Sequence, residues 1–261
     1  MIIGRCRRNY TLAIFSKMAL ILSTLLAFAA AALAFDNSNK LYKNVLSLYV
    51  KDGLVDYSRL KSNPADLNNY LDQTTHVTRK EFNSWTRDER LAFLINLYNA
   101  RTIRLIIEQY PVKGIKDIGG AKGPWEESIV PLFGEIITLN ALEGIIRNNY
   151  NDPRVHFALV CAAKGCPPLL GEPYSAENLN NQLETQTQKF LNDSAGNSID
   201  VKTKIFRLSP IFDWYAEDFS STAGSVRNFI KPYYLNYPAE EFKIEYTYYD
   251  WSLNDSSAER K

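Results

Sequence analysis

Helical patterns mixed with short hairpins, without regular strand–helix alternation, predict an α+β fold. Three observations carry that expectation. A long, largely apolar helix pattern covers about residues 87–109. Hairpin signals recur at 128–140 and 198–209. From residue 35 onward there is no repeat, low-complexity tract or linker, so 35–261 reads as a single domain.

The first 34 residues read separately. Arg5, Arg7, Arg8 and Lys17 form a basic leader, and Met18–Ala34 is an uncharged run of 17 residues ending Ala-Leu-Ala. That pattern predicts a secretory signal cleaved after Ala34, or else an uncleaved anchor, with Met18 as an alternative start. No cysteine follows the run, which argues against a lipid anchor. The remaining chain has 26 Lys and Arg against 29 Asp and Glu, net −3. Such a balance gives no basic field for nucleic acid. The expected location is exported, periplasmic or secreted, with membrane contact only through residues 1–34.

"SNKLYKNVLSLYV" (38–50) predicts a helix with Leu41, Val45 and Leu48 on one face. "KDGLVDYSRL" carries a glycine turn and a short strand, and "NPADLNNYLDQT" a helix with proline just inside its start. The 87–109 helix has Thr86 and Glu89 at capping-box spacing and ends before Pro111. It is apolar over most of its circumference, as expected of a buried central helix. Glu89, Asn96 and Asn99 form a polar stripe along it; the two amides either tie down neighbouring loops or line a ligand pocket. "DIGGAKGPW" (117–125) is a glycine-rich loop carrying Trp125, without the ending of a phosphate loop. Gly134 marks the turn of the first hairpin, and "NALEGIIRNNY" predicts a helix capped by Asn140. A helix at 175–193, the second hairpin, a helix opened by Ser209-Pro210, a short helix near 224–231 and a late strand in "FKIEYTYYDW" complete the order.

Several of these segments occur together in a familiar order. "DERLAFLINLYNARTI", "YPVKGIKDIGG", "ITLNALEGII", "DPRVHFALVCAAKGCPPL", "LSPIFDWYAEDF" and "YDWSLND" resemble the domain of unknown function 547 family. The core of the likeness spans about 80–192, and the pattern continues to about 254. The resemblance implies an exported or membrane-associated bacterial domain and no established reaction. It also implies a histidine after the glutamate of "LNALEG", where this chain has Gly144.

The chemistry-bearing residues are few. Beyond residue 34 the histidines are His76 and His156, and the cysteines Cys161 and Cys166. Residues 154–166 read as a helix (Asp152 cap, Pro153, Gly165 just past the end) or as a short apolar strand. In either form His156 and Cys161 point away from each other, and Cys166 lies about 15 Å or more from His156 unless the loop folds back. Cys161 and Cys166 could form a disulfide, serve as free thiols or pack inertly; no metal-ligand spacing is present and no cofactor is expected. Two functional expectations follow. One is a thiol-dependent hydrolase or transferase acting on a small peptide or amide. Cys166 in an exposed loop (or Cys161) would be the nucleophile, with His156 as base and Asn96 or Asn99 as orienting groups. The other is a non-enzymatic cell-envelope module for a peptide or glycan, its groove lined by Trp125, Trp214, Asn96 and Asn99, with a structural Cys161–Cys166 disulfide.

Overall fold

The 23-residue helix Arg87–Gln109 organises the structure, a computed structural model that describes residues 35–234, 237 and 242–256. The expected leader, residues 1–34, lies outside the described residues. Asp36–Lys261 forms one compact unit. Among the described residues no helix is long and apolar enough to cross a membrane.

In chain order the elements are α1 (Lys40–Tyr49), a hairpin β1 (Val50–Lys51) and β2 (Leu54–Val55), α2 (Tyr57–Ser62), α3 (Ala65–Thr75), α4 (Arg79–Ser84) and α5 (Arg87–Gln109). Three short 3-10 turns precede the hairpin β3 (Ser128–Leu132) and β4 (Glu135–Thr138), which feeds α6 (Leu139–Tyr150). A 3-10 turn at Pro153–Phe157, α7 (Leu179–Leu191), β5 (Ser198–Asp200) and β6 (Ile205–Leu208) follow. Next come α8 (Ile211–Trp214), α9 (Ala216–Ala223), α10 (Val226–Ile230) and β7 (Lys243–Tyr246). Strand β6 pairs antiparallel with β5 and parallel with β7. The fold is α+β, as the sequence predicts.

Helix α5 is capped at its N-terminus and packed along its sides. Thr86 accepts from the Glu89 N–H while Glu89 accepts from the Thr86 N–H at 2.7 Å, a full capping box. Its apolar circumference packs against α2, α3 and α6. Three helix details differ from the sequence reading. Helix α1 buries Tyr42, Val45, Leu46 and Tyr49, leaving Leu48 57% exposed, because Tyr42 stacks on Tyr70 of α3 and sets the rotation. Helix α6 starts earlier: Thr138, in extended conformation, accepts from the Ala141 N–H, and Asn140 instead bonds Glu126. The Ser209-Pro210 helix runs only to Trp214 before Tyr215 breaks it from α9.

The largest correction concerns 154–166. It is neither helix nor strand but one 3-10 turn followed by irregular backbone. Asp152 does cap the turn, accepting from the Arg154 N–H. Beyond it, the C-terminal segment captures the chain. Lys164 N–H donates to the Ser252 carbonyl, Gly165 N–H to Asp250, and Asn254 N–H to Ala162. A Cβ on Gly165 would lie 2.9 Å from the Asp250 nitrogen, so this approach needs glycine. Ala162 takes φ 59°, a left-handed conformation costly for a residue with a side chain.

Candidate functional site

The captured segment builds one face of a cavity of about 240 Å³. Around it stand His156, Cys161, Cys166, Trp125, Trp214 and Trp251, with Tyr98, Glu143, Tyr215 and Tyr249 among the other lining residues. They come from several separate parts of the chain. His156 comes from the 3-10 turn, Tyr98 from α5 and Glu143 from α6. The α8–α9 break supplies Tyr215, and the C-terminal segment Tyr249 and Trp251.

His156 is held on two sides. Its Nε2 lies 2.7 Å from Asp218 Oδ2, and Tyr215 stacks on its ring at 3.9 Å and 26°. Arg147 donates Nε to Asp218 Oδ2 at 2.7 Å and an NH2 hydrogen to Oδ1 at 3.1 Å. The hydrogen bond from His156, opposed by partial burial and reinforced by Arg147, keeps the Asp218 carboxyl well below the usual carboxylate range. An ionised carboxylate only accepts, so Nε2 carries a proton and, on a neutral ring, Nδ1 is the basic nitrogen. Arg147 also reaches Glu143 at 3.8 Å, and its guanidinium sits 4.7 Å over the Tyr215 ring. Burial, the Glu143 charge and a hydrogen bond to Glu143 keep the Tyr215 hydroxyl protonated.

The cysteines are free thiols whose Sγ atoms lie 2.6 Å apart, inside van der Waals contact and longer than the about 2.05 Å of an S–S bond. They are not equivalent. Cys161 is half-buried; Cys166 is 9% exposed and accepts the Cys161 backbone N–H at 2.8 Å. Burial, then its bond to Cys161, pushes the Cys166 thiol up. Burial also opposes ionisation of Cys161. Hydrogen bonds from Cys166, from Tyr249 (Sγ···OH 3.1 Å) and from the Ala163 backbone outweigh it, and Cys161 falls below the ordinary thiol value. Tyr249 is pushed far up, first by burial and then by the two sulfurs, so its hydroxyl donates.

These positions revise the sequence reading. Cys166 is buried rather than exposed in its loop, and it shares the cavity with His156 because the loop does fold back. His156 and Cys161 also face one cavity, since no regular element separates them, although no hydrogen bond joins them among the described residues. Asn96 and Asn99 are structural clamps and do not line this cavity. Asn99 donates Nδ2 to the Ala158 carbonyl and accepts the Val160 N–H, both at 2.9 Å. Asn96 does the same for Tyr174, donating at 2.8 Å and accepting at 2.9 Å. Glu89 belongs to the capping box and borders a separate small hollow beside Tyr174. Trp125 and Trp214 do line the cavity, both packed on Trp251 at 5.8 Å, and Trp214 is 48% exposed. His76 is exposed and bonds locally to the Asp72 carbonyl. The space where a Gly144 side chain would start is open, so packing does not demand glycine there.

Asp218, Arg147, Glu143, Tyr98 and Tyr249 are the residues the sequence reading missed. The i,i+4 spacing of Glu143 and Arg147 is the one local signal among them. No group of three or more His, Cys, Asp or Glu residues fit to hold a metal ion is found among the described residues. The arrangement places an oriented imidazole, an activated thiol and a neutral thiol donor against an aromatic wall.

No curated protein and no solved structure matches the chain. Residues 82–191 match the family described as Protein of unknown function, DUF547. That stretch contributes His156, both cysteines, Glu143 and Arg147, while Asp218, Tyr215 and the C-terminal aromatics complete the cavity from outside it. Over residues 82–191 the chain is thus similar to this family of uncharacterised function.

Proposed function

We propose that this protein is an exported thiol-dependent hydrolase or acyl transferase acting on a small peptide or amide. Cys161 is its nucleophile, and His156, oriented by Asp218, its base. One observation carries the reading: a carboxylate-held imidazole and a thiol with lowered pKa line the same cavity. The nucleophile is therefore Cys161 rather than Cys166, which is buried.

His156 takes the Cys161 thiol proton, the resulting thiolate attacks the acyl carbon to form a C–S bond, and the C–N bond breaks as His156 passes that proton to the departing amine. Water, giving its proton back to His156, then cleaves the thioester; an amine in place of water gives transfer. Tyr249 and Cys166 steady the thiolate before attack, and the Trp125–Trp214–Trp251 wall takes the apolar part of the substrate. Exported location is part of the proposal and rests on residues 1–34.

The test is the reaction of reduced protein with p-nitrophenyl acetate. A burst of one equivalent, lost in Cys161→Ala and in His156→Ala but kept in Cys166→Ala, is the expected result. A burst that survives Cys161→Ala removes the assignment. If no burst occurs and a bound glycan or peptide is displaced by Trp214→Ala, the binding-module alternative takes its place.

The 2.6 Å sulfur separation favours a second reading of the pair, a disulfide that forms and opens. Its formation passes two electrons and two protons to a disulfide-bearing oxidant, such as an oxidised dithiol protein, and occupies the nucleophile. A thiol count on denatured protein, before and after reduction, separates the two states.

A further inference from the structure

A second hollow, on the far side of α6, has the opposite electrostatic character. It measures about 490 Å³ and is lined by Arg79 of α4, by Arg87 and Arg90 of α5 and by Tyr150 of α6, over an apolar floor that includes Leu94 and Leu132. Arg87 is anchored: it donates to the Tyr150 carbonyl at 2.8 Å and pairs with Asp88 at 3.3 Å. Arg79 and Arg90 form no ion pair among the described residues. Their guanidinium groups rest on aromatic rings instead, Arg79 at 4.6 Å over Phe133 and Arg90 at 6.0 Å over Phe82. The Arg90 Nε is buried without a hydrogen-bond partner. Glu135 is the one acid among the lining residues and pairs with none of the arginines. Burial raises the Tyr150 hydroxyl, so it stays a neutral donor despite Arg90 and Arg87 pulling the other way.

A buried, unanswered guanidinium nitrogen is costly unless something accepts from it. Two uncompensated guanidinium groups match the charge and fork geometry of a dianion. The floor beneath them takes an apolar body, and the size suits a small molecule. We infer that this hollow is a binding site for a phosphomonoester with an aromatic or aliphatic body, held by Arg79 and Arg90 and distinct from the thiol cavity.

The probe is phenyl phosphate, titrated calorimetrically into the intact protein beside inorganic phosphate and anionic phosphatidylglycerol vesicles. Expected is saturable phenyl phosphate binding, about tenfold tighter than inorganic phosphate because the ring reaches the floor. Arg90→Ala and the surface variant Arg79→Ala should each weaken it about tenfold or more. Cys161→Ser should leave it unchanged. Circular dichroism checks that each variant is folded, and Arg79→Ala keeps the test open if Arg90→Ala is not. Equal binding by folded Arg79→Ala, tighter binding of inorganic phosphate, or binding to vesicles alone would each overturn the inference.

Discussion

The two hollows flank one helix, and they treat charge in opposite ways. On one face of α6, Glu143 and Arg147 join Asp218, Tyr215 and His156 in a network where every charge has a partner. On the other, Ile145 and Asn149 face the hollow of Arg79 and Arg90, whose charges no carboxylate answers among the described residues. A satisfied network holds side chains in one geometry and stabilises the fold. An unanswered one costs stability and is retained where a ligand completes it. The difference teaches where chemistry and where binding are to be sought: the oriented imidazole beside a thiol on one side, the waiting guanidinium groups on the other.

The largest expected effect falls on the clamp that delivers Cys161 to its cavity. Asn99→Ala leaves the buried Ala158 carbonyl and Val160 N–H without partners. It should cost about 2–4 kcal/mol in urea unfolding, which would show the cavity to be the better-braced region. Next comes a paired comparison across α6. Arg147→Met removes two hydrogen bonds from Asp218 and should cost about 1–2 kcal/mol, discounted for the partial exposure of both groups. Arg90→Met should change stability by less than about 0.5 kcal/mol or raise it, since it deletes an unanswered buried nitrogen. Equal losses in the two variants would erase the contrast. Gly144→Ala, in the middle of the shared helix with open space around it, should stabilise by about 0.5–1 kcal/mol.

The smallest effect sharpens the cavity side alone. The folded Asp218 carboxyl ionises below its unfolded value because His156 and Arg147 donate to it. Its stabilisation is therefore complete above the unfolded value, about pH 3.9, and fades as pH falls toward the lower folded value. Asp218→Asn should flatten that acid limb of a stability–pH curve.

The sequence foretold more of the scaffold than of the site. Helix α5 was legible to its ends because its capping box and apolar surface are local facts, printed within 23 residues. Both hairpins were legible for the same reason. The cap of α6 was misplaced by two residues because Thr138 and Asn140 are both good caps, and backbone conformation decides between them. The stretch 154–166 misled because its local signals are genuine but stop at one turn. What fixes the rest is hydrogen bonding to Asp250, Ser252 and Asn254, nearly ninety residues away. The same long reach hid Asp218 and Tyr249, which meet His156 and Cys161 only through the tertiary fold. Asn96 and Asn99 were visible as buried amides, and their task is to hold loops.

The central claim is that Cys161, and not Cys166, is the activated thiol. Native, reduced protein is treated with iodoacetamide across a pH series, and each cysteine is followed by peptide mass spectrometry. Alkylation of Cys161 should set in below the about 8.5 of a free cysteine, move upward in Tyr249→Phe, and precede Cys166 throughout. Cys166 reacting first, or Cys161 titrating as an ordinary thiol unmoved by Tyr249→Phe, would contradict it.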